Sequence, residues 1–251
     1  MTGKLINSAM KKITIIIAIV LNGILISTSC HKESNDSQIE QKVKRLTVFI
    51  DTVEYITYDF QYKDGVVQKI FVTQAVDNLT GTYEFVNGKI EKIYSTDTVN
   101  TYLSNFIHYD SKIIEINYQN NILYDSIEYM TNADNKIISM FYRGSTLYKF
   151  YWENGNYIVF EMVHDDNNDN PNINMTYTNK NNPLGDIVIP PHGFSFANIL
   201  NGSNSLLSTV SYENTDVFYI YNYEYNSNGN PTVVKASDQS RFDYTYYYEY
   251  Y

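Results

Sequence analysis

Four histidines, one cysteine and 28 acidic residues are the groups in this sequence suited to acid–base, nucleophilic or metal chemistry. Few of them are spaced for it. His164-Asp165 is the one adjacent His–Asp pair, but neighbours on a strand point to opposite faces, which is poor geometry for a triad. Asp165, Asp166 and Asp169 cluster oxygen ligands of the kind hard cations take. Counted from Asp165, however, position six is Asn170 and position twelve is Thr176, where a calcium loop needs Gly and Glu. They remain weak metal candidates beside a solvated loop. His108 reads as a strand side chain, and His192, after Pro190-Pro191, as a loop residue. Glu84, Glu91, Glu115, Glu128 and Glu161 are dispersed, as solvated strand positions are. Nucleophile elbows, zinc-helix motifs and phosphate-binding glycine loops are missing from the sequence. No catalytic residue, metal or cofactor is therefore assigned, and the expected protein is not an enzyme.

Cys30 carries a different chemistry. Lys11-Lys12 precede Ile13–Ile26, a mostly apolar run of 14 residues, and Ser27-Thr28-Ser29 leads into the cysteine. The run is short for a membrane span, which takes about 20 residues, and suits the apolar core of a signal peptide. Ser27 stands where a lipobox usually has leucine. The arrangement still resembles a bacterial lipobox, with Cys30 acylated after cleavage. The organisation expected is a signal peptide over 1–29, a flexible tether over 30–45 and one domain over 46–251. The implied partner is a membrane, reached through the lipid on Cys30. The implied place is the outer membrane, and Glu33 and Asp36 near the cysteine resemble surface-export signals, which would face the domain outward.

The elements behind these residues follow from repetition. Asp64-Gly65, Asn87-Gly88, Asp110-Ser111 and Asp134-Asn135 are spaced 23, 23 and 24 residues apart, and Asn154-Gly155 follows 20 later. Asn-Gly and Asp-Gly tolerate positive φ and so favour the turns that join antiparallel strands. Aromatic-x-aromatic flanks such as Phe60-Gln61-Tyr62 precede the turns, and aliphatic runs such as Ile113-Ile114-Glu115-Ile116 follow. Turns for the opposite end fall at Asp77-Asn78, Asp97-Thr98, Asn120-Asn121 and Arg143-Gly144. This predicts a meander from Leu46 to Val163. An irregular stretch follows over about 164–204, with a short helix near 194–200, and then long strands over Val217–Tyr225 and Phe242–Tyr250.

The chain has 251 residues, a net charge of −10 and a pI near 4.8. An acidic balance argues against a nucleic-acid partner, and 16% aromatic residues argue against disorder. Tyrosine supplies 26 positions. Period-two spacing places Tyr219, Tyr221, Tyr223 and Tyr225 on one strand face, and Tyr244, Tyr246, Tyr248 and Tyr250 on another. Such rings can cover a broad sheet while their hydroxyls face water. Trp152, Tyr151 and Tyr221 are the candidate rings for stacking on a ligand, a glycan or a surface protein being the partner considered. Three triplets, Asp51-Thr52-Val53, Asp97-Thr98-Val99 and Asp125-Ser126-Ile127, resemble an O-glycosylation signal of exported proteins.

The hairpin unit resembles the tyrosine–aspartate repeat. Over Leu46–Tyr251 the chain is similar to a family of Gram-negative lipoproteins of unknown function with a porin-like fold. The segments Tyr177–Leu184 and Tyr223–Thr232 and the tyrosine-rich last strand carry that resemblance. It implies an all-β fold: an antiparallel up-and-down hairpin meander forming a large curved sheet, partly or fully closed. It transfers no catalytic residue. A pore is the disfavoured reading, because Lys69, Lys92 and Glu115 interrupt the aliphatic runs.

Overall fold

The computed structural model describes residues 41–251, apart from 76–77, 164–171, 186, 188–202, 214–216 and 239–242. Cys30, His31, His164, Asp165, Asp166, Asp169, His192 and the expected helix near 194–200 lie outside the described residues, as do the signal peptide and most of the tether.

Among the described residues, sixteen strands follow one another in sequence. The first eight are β1 (Val43–Ile50), β2 (Val53–Lys63), β3 (Val66–Gln74), β4 (Leu79–Val86), β5 (Lys89–Thr96), β6 (Thr101–His108), β7 (Lys112–Gln119) and β8 (Ile122–Thr131). Then come β9 (Ile137–Tyr142), β10 (Ser145–Glu153), β11 (Asn156–Met162), β12 (Ile173–Asn181), β13 (Ser205–Tyr212), β14 (Val217–Tyr225), β15 (Pro231–Asp238) and β16 (Asp243–Tyr250). Each pairs antiparallel with its neighbours, and β16 pairs back onto β1, from Val43↔Tyr250 to Ile50↔Tyr244. The meander closes into a barrel, which removes both sheet edges.

Turn chemistry explains the tight corners. Both central residues take positive φ at Asp64-Gly65, Asn87-Gly88, Asn120-Asn121, Arg143-Gly144 and Asn154-Gly155. That is the type I′ geometry whose twist matches the flanking strands. These five turns are shared between the two ends of the barrel. The near end carries the turns at 64–65, 87–88 and 154–155 and brings residues 42 and 251 together, where the Tyr251 amide donates to the Lys42 carbonyl at 3.2 Å. The far end carries the turns at 120–121 and 143–144.

Alternation decides which face is the core. One transverse row reads Val72, Tyr58, Leu46, Tyr248, each paired with the next. Val72, Leu46 and Tyr248 are buried. Phe60, Ile70, Phe85, Ile90, Phe106, Tyr129, Phe150, Phe160, Ile173, Val210 and Val234 belong to the same continuous core. The interior is therefore filled with side chains. Each large apolar group buried there contributes about 1.5–3 kcal/mol relative to exposure.

Three expectations need correction. The domain begins before residue 46, because Val43 is already in β1 and fully buried. The stretch 164–204 is not wholly irregular: β12 runs Ile173–Asn181 within it. Ile173, Met175 and Tyr177 point inward at period two, while Asn174, Asn179 and Asn181 give the segment the composition of a loop. Glu115 does not sit on a solvated face. It is 0% exposed, with Phe106 and Ile127 as its cross-strand partners.

Candidate functional site

The tyrosine ladders do fall on single faces, but those faces are the interior. Tyr221, Tyr246 and Tyr248 are buried, and the Tyr219 and Tyr244 rings meet edge to face with centroids 5.8 Å apart. Their hydroxyls do not face water as a half-covered sheet would require. Tyr223 donates to the Leu207 carbonyl, Tyr250 to the Pro231 carbonyl at 2.8 Å and Tyr177 to the Tyr157 carbonyl at 2.5 Å. Burial pushes the phenols of Tyr221, Tyr223, Tyr246, Tyr248 and Tyr250 up.

The three nominated stacking rings do not share a surface. Tyr221 is only 7% exposed, and its hydroxyl has no hydrogen-bond partner among the described residues. It borders a cavity of about 30 Å³ with Tyr177, Asn182 and Ser203, room for one water. Trp152 points inward beside the near-end rim. Its Nε1 donates to the Ile137 carbonyl at 2.7 Å, and the Lys136 ammonium lies 5.0 Å from its ring. Tyr151 points outward, 44% exposed, and donates to Glu161 Oε2 at 2.5 Å. That bond, and then the Lys149 bond at 3.1 Å, hold the Glu161 carboxyl below its ordinary range.

Sequence reasoning missed two features of the outer wall, because both depend on register between strands. Thr47, Thr57, Thr73, Thr80, Thr96 and Thr101 stand side by side across β1 to β6. Cross-strand threonine pairs stabilise sheets by a few tenths of a kcal/mol, up to about 1 kcal/mol each. The adjacent row runs Phe71, Thr82, Tyr94, Leu103, Tyr118, Leu123. It leads at the far end into an exposed apolar rim of Val99, Ile122, Leu123 and Tyr124.

Charge on the outer wall is paired across strands. The pairs are Arg45–Asp59 at 2.6 Å, Lys69–Glu84 at 2.8 Å, Lys112–Glu128 at 3.0 Å, Lys149–Glu161 at 3.1 Å and Lys235–Glu224 at 3.6 Å. Each is solvated and contributes at most about 1 kcal/mol.

No protein-family model and no curated protein matches the chain. Its structural neighbours are porin-like proteins. One, from Bacteroides vulgatus, is 13% identical with a TM-score of 0.42, the match covering 84% of this chain and 99% of that one. Another, from Bacteroides uniformis, is 16% identical with a TM-score of 0.38, covering 82% and 86% respectively.

Inside the barrel, β6 to β8 carry a polar network. Ser104 Oγ donates to Asn117 Oδ1 at 2.5 Å, and Asn117 Nδ2 donates to Asp125 Oδ1 at 2.8 Å. Tyr129 Oη donates to Glu115 Oε2 at 2.7 Å. Burial first, and then the Glu115 charge, push the Tyr129 phenol well up. Removing the donor from a buried carboxylate is costly. Tyr129→Phe is expected to lower stability by about 2–3 kcal/mol, seen as a lower urea midpoint at unchanged slope. An effect no larger than that of Tyr247→Phe, on the outer wall, would show that the pair does not hold the interior.

A larger cavity, about 220 Å³, opens at the near-end mouth. Ile90 and Ile113 form its floor, and Asn87, Lys89, His108, Tyr109, Thr131 and Asn135 surround it. His108 Nε2 lies 2.6 Å from the Ile90 carbonyl. A carbonyl only accepts, so Nε2 carries the proton. Among the described residues no group of three or more His, Cys, Asp or Glu side chains is arranged to hold a metal ion. Of the glycosylation-like triplets, Thr52, Thr98 and Ser126 are all exposed.

Proposed function

We propose that the chain is an exported envelope lipoprotein, held on the outer membrane by acyl chains on Cys30, whose barrel stands in water and works by binding. The reading gives the barrel no catalytic role and no conducting lumen. One observation carries it: the outer wall carries cross-strand ion pairs, while the inner face is filled by a continuous core of largely apolar and aromatic side chains. A spanning barrel has the reverse pattern, with an outward apolar band and a polar interior. Charges at the bilayer midplane would each cost roughly 2–4 kcal/mol. The sequence before residue 41 supports the anchor, since it offers an apolar export segment and a single cysteine behind it. Binding is favoured over a purely structural role by the uncommitted polar groups at the near-end mouth and by the exposed far-end rim.

Two measurements test this reading together. The native protein is expected to carry the mass of acyl chains and to need detergent, whereas Cys30→Ala is expected to remain soluble without it. Planar bilayers exposed to either form should show no channels. A Cys30→Ala protein that still requires detergent, or stepwise conductance from the native protein, would overturn it.

A further inference from the structure

The geometry points to the near-end cavity as a binding site for a small anionic sugar, of the hexuronate class. Mouths of β-barrels are common places for ligand sites, and such sites combine an apolar base with a few placed polar groups. Here three successive hairpin ends supply the parts. The β4–β5 turn gives Asn87 and Lys89, the β6–β7 end gives His108 and Tyr109, and the β8–β9 end gives Thr131 and Asn135. Ile90 and Ile113, both buried, close the floor.

The polar groups are unspent. Asn87, Lys89 and Asn135 make no side-chain hydrogen bond or ion pair with the described residues, although lysines in the outer-wall pairs are committed to glutamates. Asn87 and Asn135 also sit at φ 52° and 58°, so the turn backbone fixes where their amides start. A carboxamide offers a donor and an acceptor together, which suits neighbouring hydroxyls. His108 spends Nε2 on Ile90 and keeps Nδ1 as its remaining polar atom. Tyr109, 52% exposed, adds a ring that can cover the C–H face of a sugar.

Charge selects the anionic member of the class. Among the described residues Lys89 is the only Lys, Arg, Asp or Glu lining the cavity, in a chain whose net charge is −10. Of the lysines on the neighbouring hairpin ends, Lys112 is paired with Glu128, and Lys136 lies over the Trp152 ring. A ligand carboxylate on the Lys89 ammonium would make a charge-assisted bond, stronger than a neutral one. A volume of about 220 Å³ accommodates one sugar ring, and a longer chain would leave through the mouth.

This deepens the binding role proposed above, and it depends on the folded barrel rather than on acylation or conductance, so the two can fail separately. The test is calorimetric titration of the full-length protein in detergent with D-galacturonate, its trimer, D-glucose and acetate. Galacturonate is expected to bind, and glucose and acetate to bind at least about tenfold more weakly, the size of one charge-assisted bond. A trimer that binds as well as or better than the monomer would identify a polymer end as the source, and a trimer that fails would identify the free sugar acid. Lys89→Met should abolish the preference over glucose. Asn87→Asp, which keeps a residue tolerant of positive φ and adds a negative charge, should weaken galacturonate by about tenfold or more. Lys235→Met, far from this mouth, should leave the titration unchanged. No heat with galacturonate or its trimer, equal binding of acetate, or an unaltered Lys89→Met titration with an intact β spectrum would overturn the site.

Discussion

Raising the pH above 10 is expected to unfold the barrel over a narrow interval. Tyr129, Tyr157, Tyr221, Tyr246 and Tyr248 are buried, and burial is the first cause that pushes each phenol above its ordinary value near 10. Below pH 10 both folded and unfolded chains keep these protons, so stability does not depend on them. Above pH 10 the unfolded chain releases protons that the folded chain retains. Each such tyrosine then lowers stability by about 1.4 kcal/mol per pH unit. The five together remove about 7 kcal/mol per unit, against a total of about 5–15 kcal/mol for a typical domain. Phenolate absorbance and the β signal in circular dichroism should therefore change together, in one steep step. Tyrosines that titrate gradually while the β signal persists would contradict the buried ladders.

Leu184→Ala is expected to cost about 2–4 kcal/mol, far more than the few tenths usual for a residue between strands. Leu184 follows β12, yet it is 0% exposed and belongs to the barrel core with Ile187. The segment is held for that purpose. Asn182 Oδ1 accepts from the Leu184 amide at 3.0 Å, and Asn182 Nδ2 donates to the Ser203 carbonyl at 3.0 Å. Its return limb docks on the β10–β11 turn, where the Asn204 amide donates to the Gly155 carbonyl at 3.2 Å and Asn156 Oδ1 accepts from the Ser205 amide at 2.8 Å. A β-carbon on Gly185 would come within 2.8 Å of the Ser203 carbonyl oxygen, so the approach is close. Urea unfolding checks the prediction. A loss under about 0.5 kcal/mol would mean that the segment only covers the mouth and does not fill it.

Much of the architecture was legible from local signals. Asn-Gly and Asp-Gly pairs marked the turns because their φ preference is a property of those residues alone. Period-two spacing placed Tyr219 to Tyr225 and Tyr244 to Tyr250 on single faces, as found. What local signals do not contain is which face turns inward. Tyr221 is a candidate stacking ring by sequence, yet it is core, since only closure of β16 onto β1 decides inside from outside. Glu115 shows the same limit: a glutamate in an aliphatic run reads as solvated until its cross-strand partners are known. β12 was hidden by its asparagines, Asn174 between the inward residues and the exposed Asn179 and Asn181 beyond them. The mouth cavity was unreadable for another reason. Its walls come from turns at 87–89, 108–109 and 131–135, and their sequence separation says nothing of their distance.

Closure by the last strand also sets an order in time. β1 finds its second partner only in β16, nearly two hundred residues later. While the chain emerges, β1 holds one row of backbone groups unpaired, a template for other chains. Contacts of such long sequence separation form late and slowly. The half-made barrel is therefore an open, adhesive sheet, and it stays so until Tyr250 has arrived.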